Sequence, residues 1–154
     1  DSSFIIDQLD LSNTTSKLLA IVANEWGALE ACSHSSLSFL GFPFSISEIF
    51  QMRNTNKSIN ESFEELKKIK TISEKYSKNL VVYLSMGFGN PYGEPWNYEI
   101  VEKWIDKLSD LKIQVISLSD TIGTAVPDDI FRIFSNIIAL KLLFFDLEIR
   151  FQLL

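Results

Sequence analysis

Two short apolar runs, each ending in small polar residues and glycine, constrain this chain more than anything else in it. Val81-Val82-Tyr83-Leu84-Ser85 opens into Met86-Gly87-Phe88-Gly89-Asn90-Pro91-Tyr92-Gly93, and Ile116-Ser117-Leu118-Ser119 ends in Asp120-Thr121-Ile122-Gly123. A buried parallel strand has this form when it delivers backbone and side chains to a site at its carboxyl end. Each run is followed by a stretch with helical spacing, which predicts β/α units with their chemistry on one rim.

The rest of the chain repeats that order. Lys17 to Ala23 reads as a first strand ending at Asn24-Glu25-Trp26-Gly27, with Ala28 to Ser33 as a short helix. Leu37 to Phe42 reads as a second strand, interrupted by Gly41 and ended by Pro43, and Asn54 to Lys57 as a polar loop. Ser58-Ile59-Asn60-Glu61 fits a capping box ahead of an apolar stripe at Phe63, Leu66, Ile69 and Ile72. Leu80 to Ser85 is a third strand, and Asn97 caps a helix with Val101, Trp104, Ile105 and Leu108 on one face. Ile113 to Leu118 is a fourth strand. Pro127 starts a further helix with Asp128 and Asp129 in its first turn and Ile130, Ile133, Phe134, Ile137 and Ile138 on its buried face. From Phe145 to Leu153 apolar and polar residues alternate strictly, the pattern of a half-buried strand with a long apolar edge. The expected fold is α/β, with four or five β/α units, where a full eight-unit barrel typically needs about 250 residues.

Composition narrows the function. A net charge of -6 argues against nucleic acid, because phosphate binding needs clustered Lys and Arg, and here only Lys67, Lys68 and Lys70 cluster. One cysteine excludes an internal disulfide framework and a cysteine-rich zinc site. The apolar stretch near the C-terminus is broken by Lys141, Asp146, Glu148 and Arg150, against a transmembrane helix. With no segment of signal-peptide character the expectation is a cytoplasmic protein. His34 stands without a second imidazole and Cys32 reads as a small buried apolar residue, so both are expected to be structural. The glycines at 87, 89 and 93 miss the dinucleotide spacing and read as freedom for a strand-to-helix loop. Asp120 taken alone is either a site acid or a turn former, a common role for Asp after a strand.

Longer stretches carry a family resemblance. Phe42 to Phe50 with Arg53 to Ser62 resembles the fourth strand and following loop of hydroxymethylglutaryl-CoA lyases. The Tyr83 to Tyr92 run resembles their fifth strand end, and Ile116 to Gly123 their sixth. Asn24 to Gly27 is similar to their Asn-x-x-Gly turn, with Trp26 where a basic residue is common. The similarity runs over about residues 17–136 of one partial barrel domain, leaving an atypical tail over about 139–154. It implies a partial TIM-type barrel and a carbon–carbon lyase that cleaves 3-hydroxy-3-methylglutaryl-CoA to acetyl-CoA and acetoacetate by a retro-Claisen step.

Carried over by position, the resemblance makes Asp120 the catalytic acid. It places Tyr83 and Ser85 on the acyl pocket, with Ser117, Thr121 and Asn24 on the rim around it. It implies a divalent cation, Mg²⁺ or Mn²⁺, in the parent family, where such an ion would polarise the substrate oxygens. Here no metal ligand is assigned and no tight binding is expected. The family's Arg-Asp pair falls upstream of Asp1, and Glu148 to Leu153 holds no histidine where His-x-His should end the seventh strand. The expected partner is an acyl-CoA substrate, with self-association through unpaired strand edges. A related acyl-CoA-dependent condensing enzyme and a non-catalytic truncated or frame-disrupted piece are the other readings, and these residues alone are expected to show no turnover.

Overall fold

A computed structural model describes residues 2–141 and 148–153, with side chains described over 3–137. Strands β1 (Leu18–Ile21), β2 (Leu37–Ser45), β3 (Asn79–Ser85), β4 (Val115–Asp120) and β5 (Glu148–Leu153) form one sheet in chain order, every neighbouring pair parallel. Helices α1 (Ser2–Asp7), α2 (Glu25–Ser33), α3 (Glu48–Thr55), α4 (Ile59–Lys75), α5 (Tyr98–Asp110) and α6 (Pro127–Lys141) lie before and between the strands. Sequential parallel strands joined through helices, with no reversal of order, form a segment of a (β/α) barrel.

Side-chain parity divides the sheet. Leu40, Phe42 and Phe44 of β2, Leu80, Val82 and Leu84 of β3, and Ile116 and Leu118 of β4 are buried in one core with Leu66 and Ile69 of α4 and Val101, Ile105 and Leu108 of α5. Phe44, Phe63 and Trp104 form its aromatic centre, with the Phe44 and Trp104 ring centroids 5.0 Å apart. The opposite, inner face carries Leu19 and Ile21, Gly41 and Pro43, Tyr83 and Ser85, and Ser117 and Ser119. Ile21 there is 59% exposed. A Cβ on Gly41 would stand 2.6 Å from Ile21 Cδ1 and 2.8 Å from Tyr83 Cε2. Glycine at 41 therefore lets the Tyr83 ring lie across β2.

The expected elements are present with shifted bounds, β4 running from Val115 through Asp120 and α2 beginning at Glu25, and three differences go further. β2 runs on through Gly41 and Pro43 to Ser45. Pro43 shares the parity of Gly41, whose carbonyl accepts Val22 N at 2.8 Å. Its missing N–H therefore points past the end of β1, where no ladder bond is needed. Secondly, residues 48–55 are a helix, and the polar loop read over 54–57 is only its end. Ser47 accepts Phe50 N and Asn56 closes the helix in the left-handed region at φ 54°. Thirdly, residues 2–7 of the polar leader are helical, tied to α2 by His34, whose ring nitrogens contact Asp7 Oδ1 at 3.1 Å and Ser3 Oγ at 3.2 Å.

The capping box at Ser58 and Glu61 is formed in both directions. The last strand pairs parallel with β4 over Glu148–Leu153. The side-chain alternation from Phe145 to Leu153 and the burial of Ile138 lie outside the described residues. Cys32 is buried on α2, and burial pushes its thiol up, away from thiolate chemistry.

Candidate functional site

Because all the strands run one way, their carboxyl ends share one rim, and Asn24, Tyr83, Ser85, Ser117, Asp120 and Thr121 all lie at or near it. Tyr83 is the register partner of Ser117, and Leu84 of Leu118, which sets Ser85 beside Ser119 on the inner face. Between these strands, α3 and β1 lies a groove of about 350 Å³. Its apolar walls are Ile21, Pro43, Phe50 and Tyr83, and its polar groups are Asn54, Ser85, Ser119 and Thr121. Among the described residues no charged side chain lines it. The groove thus suits a short apolar chain carrying oxygen acceptors, held by hydroxyls and an amide.

The expected site residues separate into those that face this groove and those that hold its rim. Tyr83, Ser85 and Thr121 face it. The Thr121 hydroxyl is already employed: Met86 N donates to it at 2.8 Å, and it reaches Ser119 O at 3.4 Å. That bracket, with Trp96 Nε1 donating to Met86 O at 3.0 Å, holds Met86 at φ 62°, a conformation that a non-glycine residue rarely adopts. Ser117 is buried on the inner face below the groove.

Asp120 is 2% exposed, on the helix-side parity of β4. Its Oδ1 accepts Thr124 N at 3.0 Å and its Oδ2 accepts Ala125 N at 2.9 Å. It fastens the loop between β4 and α6 and stands outside the groove lining. Asn24 caps α2, accepting Gly27 N at 2.8 Å. It lines a separate depression of about 480 Å³ along the open edge of β1, with Ile6, Trp26 and His34. The larger volume marks the unpaired sheet edge, whereas residues from four successive strands converge on the smaller groove.

Ile21, Pro43, Phe50, Asn54 and Ser119 were not among the expected site residues. Parity with Tyr83 and Ser85 would have found Ser119. Phe50 and Asn54 could be placed only once residues 48–55 were seen to be helical.

The loop from Met86 to Asn97 is strapped to the start of α3. Glu94 accepts Ser47 Oγ, Asn90 Nδ2 at 2.8 Å and Ile49 N at 3.1 Å, while the Arg53 guanidinium lies 4.9 Å from the centre of the Tyr92 ring. Burial pushes the Glu94 carboxyl up, but the hydrogen bonds from Asn90, Ser47 and the α3 amides outweigh it and hold the group below its ordinary value. A depressed carboxyl stabilises the fold above its unfolded-state pKa, and that stability is lost as pH falls through the folded value. Acid should therefore loosen this strap before the sheet unfolds. Trp96 fluorescence should report an early acid transition in the parent that is missing from Glu94→Gln, whose strap is already weakened at neutral pH. Coincident transitions in the two proteins would contradict it.

The divalent cation stays what the resemblance implies for the parent family; among the described residues no group of three His, Cys, Asp or Glu side chains is placed to hold a metal ion, and each Asp120 oxygen accepts a loop amide.

The parallel order, the two-faced sheet and the groove at the carboxyl rim define a partial (β/α) barrel of the TIM type. No family model matches the chain. A hydroxymethylglutaryl-CoA lyase of Bacillus subtilis is 32% identical over 123 residues, 78% of this chain and 40% of that protein. The crystal structure of the Bacillus subtilis HMG-CoA lyase matches with a TM-score of 0.81 and 29% identity, covering 90% of this chain and 46% of that one. An HMG-CoA lyase from Acinetobacter baumannii, solved with coenzyme A and 3-methylmalate, matches with a TM-score of 0.81 at 21% identity, covering 91% of this chain and 45% of that one. That last likeness speaks for the fold alone. By sequence and fold the chain belongs to the hydroxymethylglutaryl-CoA lyase family, and it spans about 40% of the length of the curated relative it matches.

Proposed function

We propose that this chain is the acyl-binding middle section of a hydroxymethylglutaryl-CoA lyase-like carbon–carbon lyase. The observation that carries the proposal is the groove at the carboxyl rim, where Tyr83 and Ser85 meet the apolar walls of Ile21 and Pro43 and the described lining is uncharged. A branched acyl chain suits those walls, and its carbonyl and hydroxyl oxygens suit the hydroxyl donors. The curated relatives named as hydroxymethylglutaryl-CoA lyases, 32% identical to this chain, support a CoA thioester as the ligand class. Asp120, fastening the β4–α6 loop, acts in this reading first by positioning the rim.

A second reading, acyl-CoA binding without cleavage, is favoured by one observation: both oxygens of Asp120 are engaged by amides. Self-association belongs to the proposal as well. β1 and β5 are the outer strands of the described sheet, each paired on one side only, and such edges are templates for another chain. No described helix is long and apolar enough to cross a membrane, and we place the protein in the cytoplasm.

The test is to incubate the chain with 3-hydroxy-3-methylglutaryl-CoA in Mg²⁺ or Mn²⁺ and follow both binding and acetoacetate. Binding without acetoacetate above background is expected. Metal-dependent acetoacetate release would overturn the incomplete-piece reading, and absence of binding would overturn the acyl-CoA reading itself.

A further inference from the structure

Buried polar side chains in this structure are matched almost throughout. Ser45 Oγ accepts Ser47 N, and Ser47 Oγ donates to Glu94. Gln51 accepts Ser45 N and donates to Thr55 and Ser62. Ser73 Oγ donates to Lys70 O, and Asp120 accepts two amides. Among the described residues, the Ser119 hydroxyl is the buried side-chain group that has no partner. Its residue is 0% exposed, yet it lines the groove. Leaving a hydroxyl buried and unmatched is unfavourable, and such groups are rare in native folds unless something absent from the bare protein satisfies them.

We infer that Ser119 is a further binding residue of this groove, whose hydroxyl donates a hydrogen bond to an oxygen of the acyl part of a bound CoA thioester. This rests on the acyl-CoA reading above. The chemistry of the groove fixes the ligand class. With no Lys, Arg or carboxylate among the described residues of the lining, recognition by those residues falls to neutral donors, which suit carbonyl and hydroxyl oxygens. Thr121 spends its hydroxyl on Met86 N and Ser119 O, so it cannot serve equally. Ser119 follows Leu118, the partner of Leu84, so its hydroxyl stands at the same level of the rim as Ser85. The two serines can then hold different oxygens of one acyl group.

The inference predicts opposite effects of one substitution on the free and the bound protein. Ser119→Ala removes an unmatched hydroxyl, so the ligand-free protein should unfold at a higher temperature than the parent. The same change should weaken 3-hydroxy-3-methylglutaryl-CoA about tenfold, the loss of one hydrogen bond, and leave coenzyme A alone unchanged. Ser119→Cys, close in volume but a poor donor, should also weaken the thioester, which separates hydrogen bonding from packing.

Calorimetric titration of the three proteins with the two probes decides between the outcomes. Equal thioester affinity in parent and Ser119→Ala overturns the inference, as does an equal loss for coenzyme A, which would mean an effect through the fold. If the parent binds neither probe, the acyl-CoA reading fails first and the inference falls with it. Thioester binding by the parent together with an unaltered Ser119→Ala would sink the inference alone.

Discussion

Replacing Phe44 with alanine should destabilise this protein by about 3–5 kcal/mol, the usual cost of deleting a fully buried phenylalanine. Phe44 is 1% exposed and meets Phe63 and Trp104, with ring centroids 6.2 and 5.0 Å away. Strand β2, helix α4 and helix α5 are all joined through this cluster, so the cavity would be bounded by three elements that cannot collapse together. Small domains hold only about 5–15 kcal/mol in total, so the variant should be largely unfolded in mild urea. Phe44→Leu should lose less than half as much, because it keeps most of the volume. A urea midpoint for Phe44→Ala within error of the parent would show that this aromatic centre is not packed as described. The consequence for the site is indirect. Pro43 and Ser45 flank Phe44 on the opposite face, and a loosened β2 would release the wall against which Tyr83 lies.

Asp120→Ala is the second large effect, expected at about 3 kcal/mol, because two amides would lose a charged acceptor in a buried position. The loop from Thr121 to Val126 should become mobile while the sheet persists, so amide exchange at Thr124 and Ala125 should rise by more than the drop in global stability explains. Asp120→Asn keeps one acceptor and should retain part of the protection. Unchanged exchange at both amides in Asp120→Ala would remove the fastening role, leaving the carboxylate free for other work at the rim. The experiment therefore separates a positioning role for Asp120 from a purely chemical one.

Much of this architecture was legible in the chain because period and chain order carry it. Leu80, Val82 and Leu84 announce a strand, the stripe at Phe63, Leu66 and Ile69 a helix, and Asp120 a strand end. The resemblance pointed to Tyr83 and Ser85, which share the inner face of β3 and line the groove. Helix α3 was obscured because its apolar residues, Ile49, Phe50 and Met52, form no clean stripe. It is held by the Ser47 cap, the left-handed Asn56 and the buried Gln51 instead. Gly41 and Pro43 looked like breakers. Their tolerance depends on where β1 ends and on the Tyr83 ring lying over Gly41, neither of which is local information. The Ser119 hydroxyl was invisible for a similar reason, since lacking a partner is a property of the surroundings. Asp120 was legible as a rim residue, but its two amide partners depend on the fold of the loop after it.

The central claim is that an acyl-CoA thioester occupies the groove at the carboxyl rim of β2, β3 and β4. Hydrogen–deuterium exchange of the chain with and without 3-hydroxy-3-methylglutaryl-CoA tests it most directly. The claim predicts slowed exchange in the segments after Tyr83 and after Ser117, together with residues 48–55 of α3, and no change along the depression beside β1. Protection confined to residues 18–27 beside β1, or no protection anywhere at saturating thioester, would contradict it.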